Sequence, residues 1–296
     1  MTGASGQLGQ DLLAALSGNV PDGGIAGDNR TGRLGERSSV DVVAAPHAVL
    51  DVTRREDVLT AISALRPEIV IHAAAFTAVD ACESDPDRAF GVNALGTRHV
   101  AEATRTYGGH LVVISTDYVF DGTATRPYTE WDETRPTSVY GRSKLGAERE
   151  AGPDATIVRT SWLSGLHGQN MVRTIVELSG SDSPLKFVDD QRGSPTFCAD
   201  LAGAILNLAD SRLPGIFHVT NSGDASWYEL ARSVLSCMGK DPARVEPILT
   251  RDLVPPRAAA RPAYSVLDNA ALRLSGLPLL PPWTDALDRM VGALSR

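Results

Sequence analysis

The sequence has few cysteines, and their positions exclude two classes of small stabilised domain. Its 296 residues contain three cysteines, Cys82, Cys198 and Cys237, which are odd in number and far apart. They lack the paired spacing of a zinc site or a disulfide scaffold, so we expect three reduced, buried thiols. The six histidines show no metal-ligand spacing either. No metal site is therefore predicted.

Long apolar runs and an excess of positive charge are also missing. No stretch approaches the roughly 18 consecutive apolar residues that cross a bilayer, and no basic segment followed by an apolar run opens the chain. We therefore expect a cytoplasmic protein with no membrane partner. Lysine and arginine total 28 against 36 acidic residues, a net charge of −8, which argues against a nucleic-acid partner. A few local donors could still bind a small anionic ligand.

The first half of the chain alternates short apolar runs with helical patterns, which is typical of a parallel sheet covered by crossover helices. We predict an α/β, Rossmann-like, doubly wound domain over residues 1–160. The predicted strands are Val40–Ala44, Ile69–Ala73, Leu111–Ser115 and Thr156–Arg159. The predicted helices are Gly9–Leu16, Arg55–Leu65, Asp87–Tyr107 and Val139–Arg149. The segment Ser17–Ser39 is rich in glycine and arginine, and we expect it to form a surface loop.

The second half has shorter elements punctuated by glycine and proline. Residues 161–296 are predicted to form mainly a smaller α/β lobe that binds substrate, while a strand and helix near residues 195–220 return to the first domain. The expected elements are helices Cys198–Leu208, Trp227–Cys237 and Trp283–Leu294 and a strand over Ile216–Thr220.

A glycine-rich turn opens the chain. Gly3, Gly6 and Gly9 form a G-x-x-G-x-x-G pattern that runs directly into a helix. Such glycines let the backbone approach a pyrophosphate, and the helix N-terminus supplies free N–H groups. An ordinary strand-to-helix turn is the alternative. Only Met1 and Thr2 precede the motif, so the first strand is expected to be short.

The sequence gives only weak information on whether the cofactor is NADH or NADPH. The end of the predicted strand Val40–Ala44 reads Ala44-Ala45-Pro46-His47, with neither the carboxylate that binds a ribose hydroxyl nor a base suited to a 2′-phosphate. The missing carboxylate favours NADPH modestly. Asp51 and Val52 follow and could meet the adenine end, although Asp51 could equally be a helix N-terminal acid.

A stronger signal is the Y-x-x-x-K spacing of Tyr140 and Lys144. Residues four apart share one helix face, and an ammonium beside a phenol of pKa near 10 brings that phenol closer to use at neutral pH. Thr116 directly follows the predicted strand Leu111–Ser115, which places a hydroxyl at the sheet edge where ligands bind.

Together these motifs resemble the dTDP-4-dehydrorhamnose reductase family of extended short-chain dehydrogenases/reductases. The matching segments lie in the family's order over nearly the whole chain. They are Gly3–Gly9, Ala73–Asp80, Val92–Ala94, Ser115–Gly122 (STDYVFDG), Tyr128–Glu130, Tyr140–Glu148 (YGRSKLGAE), Arg159–Trp162, Asp189–Thr196 (DDQRGSPT) and Arg261-Pro262.

The resemblance implies that Tyr140 donates a proton to the C4 carbonyl oxygen as hydride arrives from the nicotinamide. Lys144 would hold the nicotinamide ribose, Thr116 would bind the carbonyl or Tyr140, and Asp117 and Trp162 would contact the sugar. Trp162 could instead be a core residue at the lobe boundary. The implied cofactor-binding set is Gly3, Gly6, Gln7, Leu8, Gly9, Asp51, Val52, Ala75, Phe76, Thr77, Tyr140 and Lys144. Arg192, Arg257 and Arg261 are candidates for the diphosphate.

The resemblance therefore implies NADPH- or NADH-dependent reduction of dTDP-4-dehydro-6-deoxy-L-lyxo-hexose to dTDP-L-rhamnose, by a monomer or homodimer. Some members dimerise around magnesium, with one ligand near Asp11, but the other ligands find no match here. Two alternatives remain open. One is a non-catalytic, NADP-binding regulatory subunit like that of methionine adenosyltransferase, and the other is a different nucleotide-sugar ketoreductase or epimerase.

Overall fold

The central sheet of the protein, seen in a computed structural model that describes residues 1–18 and 40–295, has four parallel strands. Their spatial order is β1 (Ile69–His72), β2 (His110–Thr116), β3 (Thr156–Thr160) and β8 (Gly215–His218). Val112, Val113 and Val158 are fully buried, as expected for strands covered by helices on both faces. The α/β, Rossmann-like prediction is confirmed, and the predicted strands differ from these by a residue or two.

The strand predicted over Val40–Ala44 is wrong. Residues 40–44 form no strand, and the next residue, Ala45, forms an isolated bridge to Thr2, which also bridges to His72. The Met1 amino group donates to the Val43 carbonyl at 2.8 Å, and Ala45 N–H donates to the Met1 carbonyl at 2.8 Å. Thr2 forms only this single bridge with the segment, and one bridge does not make a ladder.

The helices of the first half largely follow the predictions. The helices are α1 (Gln7–Leu16), α2 (Arg55–Leu65), α3 (Val79–Ser84), α4 (Pro86–Phe90), α5 (Gly96–Thr106) and α6 (Val139–Ala151). The bounds of α2 are as predicted. The single helix predicted over Asp87–Tyr107 is divided by a π-helical turn, Gly91–Leu95. Asp85 caps α4 by accepting from Arg88 N–H at 3.1 Å, with Pro86 in the first turn.

In the described part of the chain, the second half contributes short strands and the five remaining helices. The strands, β8 apart, are β4 (Leu163–Ser164), β5 (Leu185–Val188), β6 (Arg192–Gly193), β7 (Thr196–Phe197), β9 (Ala225–Ser226) and β10 (Val245–Ile248). The helices are α7 (Met171–Leu178), α8 (Cys198–Ser211), α9 (Trp227–Cys237), α10 (Ala270–Leu274) and α11 (Trp283–Leu294). Helices α9 and α11 have the predicted bounds, and α8 extends to Ser211.

Of the apolar clusters that the described residues form, the two largest pack different sets of helices. One joins the sheet to α1 and α8 through residues such as Leu12, Val158 and Leu201. The other packs α7, α9 and α11 together through residues such as Leu230 and Leu287. Strand β8 and helix α8 thus lie with the first cluster, although their sequence follows residue 160. A division into two lobes near that residue stays a prediction.

Three further expectations concern particular residues. Cys82 and Cys198 are free and buried as expected, whereas Cys237 is half-buried and its thiol donates to Asp288 at 2.8 Å. Most of the predicted loop Ser17–Ser39 lies outside the described residues. None of the described helices has the length and apolarity needed to span a membrane.

Candidate active site

In the glycine-rich turn, two glycines lie so close to neighbouring backbone atoms that neither position could carry a side chain. Gly3 has φ of +70°, and a Cβ there would lie 2.6 Å from the Ala73 carbonyl carbon and the Ala74 nitrogen. A Cβ on Gly9 would lie 2.4 Å from the Gly3 carbonyl oxygen. The turn therefore packs directly against the chain that leaves β1, which is why glycine is needed at both positions.

The N-terminus of α1 opens beside this turn. Gly6 is its N-cap and is exposed, and no side chain caps the first N–H groups of the helix. Such N–H groups, at the positive end of the helix dipole, form a binding site for an anion. Gln7 accepts from Asn170 at 2.8 Å, while Leu8 is buried in the core. Leu8 can thus offer a ligand only its backbone.

The segment Ala75–Thr77, which follows β1, is held by a side chain that sequence reasoning missed. Phe76 N–H donates to Asn93 Oδ1 at 2.7 Å, and Asn93 Nδ2 donates back to the Phe76 carbonyl at 3.1 Å. Asn93 Nδ2 also donates to Ser143 Oγ at 2.8 Å, and Ser143 donates to the Tyr140 carbonyl at 2.8 Å. Asn93 therefore joins this segment to α6. The match of Val92–Ala94 to the family was the sequence signal that pointed to Asn93.

The two residues expected near the adenine lie in the loop before α2. Asp51 is partly exposed, and its Oδ1 accepts from Thr53 N–H at 3.0 Å and Thr53 Oγ1 at 2.8 Å. These hydrogen bonds lower the pKa of Asp51. Val52 is buried in the core, and its carbonyl accepts from His99. Asp51 lies three residues before Arg54, the N-cap of α2, whose first turn carries Glu56 and Asp57 instead. Val52 can offer only its backbone.

Tyr140 and Thr116 meet where α6 passes the end of β2. Both are buried, at 9% and 6% exposure. Ser138 caps α6 by accepting from Gly141 N–H at 3.1 Å, so the helix begins at Val139, one residue before Tyr140. Burial raises the pKa of Tyr140, and a hydrogen bond with Thr116 opposes that rise. The phenol consequently keeps its proton at neutral pH and can donate it.

Lys144 and Asp117 place two ionisable groups around this pair. Lys144 is 4% exposed, and its Nζ donates to the Ile114 carbonyl at 2.6 Å. Burial lowers its pKa to about 8. Asp117 is 1% exposed; burial raises its pKa to about 6, and its Oδ1 accepts from Thr116 Oγ1 at 3.0 Å. The structure thus brings together the phenol of Tyr140, the hydroxyl of Thr116 and the amine of Lys144 near the end of β2.

Trp162 has a strained backbone and an aromatic partner. Its φ is +47°, in the left-handed region that residues other than Gly, Asn and Asp rarely adopt. Its ring stacks on Trp227 with centroids 3.4 Å apart and planes 3° from parallel. A Cβ on Gly193 would lie 2.5 Å from the Trp162 ring. Trp162 is half-buried, so one part of its ring packs in the protein and the rest stays accessible.

The three arginines considered for the diphosphate each pair with a carboxylate. Arg261 binds Asp80 through two nitrogens, and Arg257 lies 3.8 Å from the same carboxylate. Arg192 pairs with Asp224 and Glu229. The Asp80 pairs connect the C-terminal part of the chain to α3, and the Glu229 pair connects β6 to α9. A diphosphate would therefore have to share or displace an existing partner.

Comparisons with known proteins agree along the whole chain. The sequence profile of the family described as RmlD substrate binding domain matches residues 1–296. A Streptomyces griseus protein named dTDP-4-dehydrorhamnose reductase is 40% identical, over 99% of this chain and 93% of its own length. A Streptomyces antibioticus protein named probable dTDP-4,6-dihydroxy-2-methyloxan-3-one 4-ketoreductase is 42% identical, over 97% of this chain and 92% of its own length.

A solved structure gives the same result in three dimensions. It is dTDP-4-dehydrorhamnose reductase from Bacillus anthracis in complex with NADP, which is 36% identical to this chain. It superposes with a TM-score of 0.86 and covers 98% of this chain and 96% of its own.

Proposed function

The chain belongs to the dTDP-4-dehydrorhamnose reductase family, and from the site we infer that it reduces the C4 ketone of dTDP-4-dehydro-6-deoxy-L-lyxo-hexose to give dTDP-L-rhamnose. One observation carries this inference. A buried phenol that retains its proton, Tyr140, meets the Thr116 hydroxyl and shares a helix face with the Lys144 amine. Ketone reduction needs a proton donor at this place, because charge develops on the carbonyl oxygen as hydride adds to the carbon.

The chain has the features that NADPH binding requires. The uncapped N-terminus of α1, reached through Gly6, suits a pyrophosphate. Gly3 and Gly9 keep the turn close to β1, and Gln7 and Leu8 would offer backbone N–H groups. Ala75, Phe76 and Thr77 would lie beside the nicotinamide-side ribose, with Asp51 and Val52 at the adenine. The Bacillus anthracis relative, solved with NADP, supports NADPH as the donor. When bound, this cofactor supplies the hydride.

The chain's own residues would then divide the work as follows. Tyr140 donates its phenolic proton to the C4 oxygen, and Thr116 orients that oxygen or the phenol by a hydrogen bond. Lys144 holds the nicotinamide ribose through its ammonium. Asp117 and the accessible part of Trp162 contact the sugar. Asn93 fixes the Ala75–Thr77 segment relative to Tyr140, as its hydrogen bonds indicate.

We also propose the setting in which this site works. The substrate would bind between a cofactor-binding lobe of residues 1–160, joined by β8 and α8, and a lobe formed mainly by residues 161–296. Every residue given a role lies in one chain, which is compatible with a monomer or a homodimer. The free thiols of Cys82 and Cys198 fit a reducing, cytoplasmic location.

A second dTDP-4-ketosugar is the alternative substrate. The Streptomyces antibioticus relative named as a 4-ketoreductase for a different dTDP-sugar is 42% identical to this chain, against 40% for the Streptomyces griseus reductase. Identity therefore does not separate the two sugars, although both require the same reaction at C4.

The direct test is oxidation of NADPH and NADH, followed at 340 nm, with the 4-ketosugar generated in place by the enzymes that precede it. We expect substrate-dependent oxidation, with dTDP-rhamnose identified by mass and by co-elution with a standard. Oxidation that needs another dTDP-4-ketosugar would select the alternative. Binding of NADPH without any sugar reduction would contradict both and favour a regulatory, non-catalytic role.

The pKa of Lys144 predicts opposite trends in activity and in stability. We expect kcat/KM to fall as the pH rises through about 8, because the free enzyme loses the ammonium there. Between that value and the ordinary 10.5 the unfolded chain binds more protons than the folded one, so the contribution of this group to the free energy of unfolding rises with pH.

Chemical denaturation on either side of this pH window would measure the second trend. The rise should be absent in Lys144→Met and present in Lys186→Met, which removes an exposed amine. A kcat/KM that stays level through the titration of Lys144 would contradict the proposed role of its ammonium.

A further inference from the structure

A third ionisable side chain continues the face of α6 that carries Tyr140 and Lys144. Glu148 lies four residues beyond Lys144, so the three side chains follow one another along the helix. Glu148 is 6% exposed. A carboxylate is this deeply buried only when it has strong partners.

The partners of Glu148 come from two strands of the sheet. Arg159, in β3, donates from Nε to Oε1 at 2.9 Å and from Nη2 to Oε2 at 2.7 Å. Ser115, in β2, donates from its hydroxyl to Oε1. Ser115 directly precedes Thr116. One carboxylate therefore connects the helix that carries Tyr140 to the strand end that carries Thr116, through a two-point contact that fixes its orientation.

Glu148 is also the negative charge that acts on Lys144. Burial lowers the pKa of Lys144 and Glu148 raises it. The other groups around the amine supply no such charge. His72, from β1, is neutral because burial lowers its pKa to about 3. Tyr140 keeps its proton, and the Arg159 guanidinium on β3 is paired with Glu148 itself.

We propose that Glu148 is a positioning residue, whose carboxylate holds the Tyr140 and Lys144 face of α6 against the end of β2 and keeps Lys144 positively charged. This inference rests on the proposed function. Glu148 would touch neither the sugar nor the cofactor. It would act through Lys144 and through the separation of Tyr140 from Thr116.

The first test measures the charge of Lys144 without any substrate. Lysine occurs only at positions 144, 186 and 240, so protein labelled with ¹³C-lysine should give three sets of side-chain signals, and Lys144→Arg identifies the one wanted. We expect Glu148→Gln to lower the titration midpoint of Lys144 by roughly one unit or more. Glu150→Gln is the matched control, since it removes the same charge from the same helix at a surface pair with Arg98.

The second test measures position. In Glu148→Asp the charge remains but the side chain is shorter, so we expect the Lys144 midpoint to return towards the wild-type value while kcat stays roughly 10- to 100-fold low. Glu148→Gln should lose kcat similarly and shift the alkaline limb of kcat/KM to lower pH. If Glu148→Gln does not fold, the double variant Glu148→Gln/Arg159→Met removes the unpaired cation and takes its place.

The outcomes separate the two proposals. An unchanged Lys144 midpoint in folded Glu148→Gln would overturn the assignment, as would a kcat of Glu148→Gln, or of the double variant, equal to that of Glu150→Gln. A wild-type protein that reduces no 4-ketosugar would contradict the proposed function, yet the lysine titration would still decide whether Glu148 controls the charge of Lys144.

Discussion

Replacing Tyr140 by phenylalanine should lower kcat by about 10²- to 10⁴-fold, the range expected when a positioned proton donor is removed. The side chain is 9% exposed, so its ring would remain packed and only the hydroxyl would be lost. The hydrogen bond with Thr116 would be lost as well, at a cost of about 0.5 to 1.5 kcal/mol in the free energy of unfolding. NADPH binding, followed by fluorescence titration, should be nearly unchanged.

Tyr107→Phe is the matched control for this variant, because it makes the same change at a tyrosine that is 37% exposed. Its kcat should equal that of the wild type. If Tyr140→Phe turns over at the wild-type rate, the proton must come from elsewhere and the assignment of Tyr140 fails.

A single methyl group at Gly141 should damage both stability and turnover. A Cβ there would lie 2.1 Å from the Tyr118 carbonyl oxygen and 3.0 Å from Pro136 Cβ. Since the nearest atom belongs to the backbone, α6 would have to move away from the turn that follows β2. We expect Gly141→Ala to lose at least about 1 to 3 kcal/mol of unfolding free energy, and to lose kcat because Tyr140 separates from Thr116.

Gly203→Ala provides a control of opposite sign. Gly203 lies in the interior of α8, with nothing within 4 Å of an added Cβ. Alanine there should raise the free energy of unfolding by about 0.5 to 1 kcal/mol, through helix propensity. Urea denaturation would compare the two variants. A Gly141→Ala protein as stable and active as the wild type would show that α6 does not depend on this close approach.

Elements with a strong local pattern could be predicted from the sequence. Helix α2 and strands β2 and β3 show clear periodicity, so their positions were predicted to within a residue or so. Tyr140 and Thr116 could be placed together because a parallel sheet brings its strand ends to one edge. The strand predicted over Val40–Ala44 was wrong because a strand depends on pairing with an adjacent strand, and the pairing there is a single bridge between Thr2 and Ala45.

Contacts between distant side chains were beyond sequence reasoning. The π turn at Gly91–Leu95 places Asn93 toward Phe76 and Ser143, and no local pattern encodes that partnership. Likewise, the Trp162–Trp227 stack and the pairing of Arg261 with Asp80 depend on how the second half of the chain packs. The resemblance suggested that these segments matter, but only the structure shows which side chains meet.

The hydrogen bonds of Asn93 also have a consequence for how the protein acquires activity. They join residues 17 and 50 positions apart in the chain, so the entropy of closing both loops must be overcome before they form. A partly folded chain with α6 already helical would still lack the connection from Tyr140 to the Ala75–Thr77 segment. Recovery of turnover during refolding should therefore follow the slowest structural phase, and an activity assay would count only fully folded molecules.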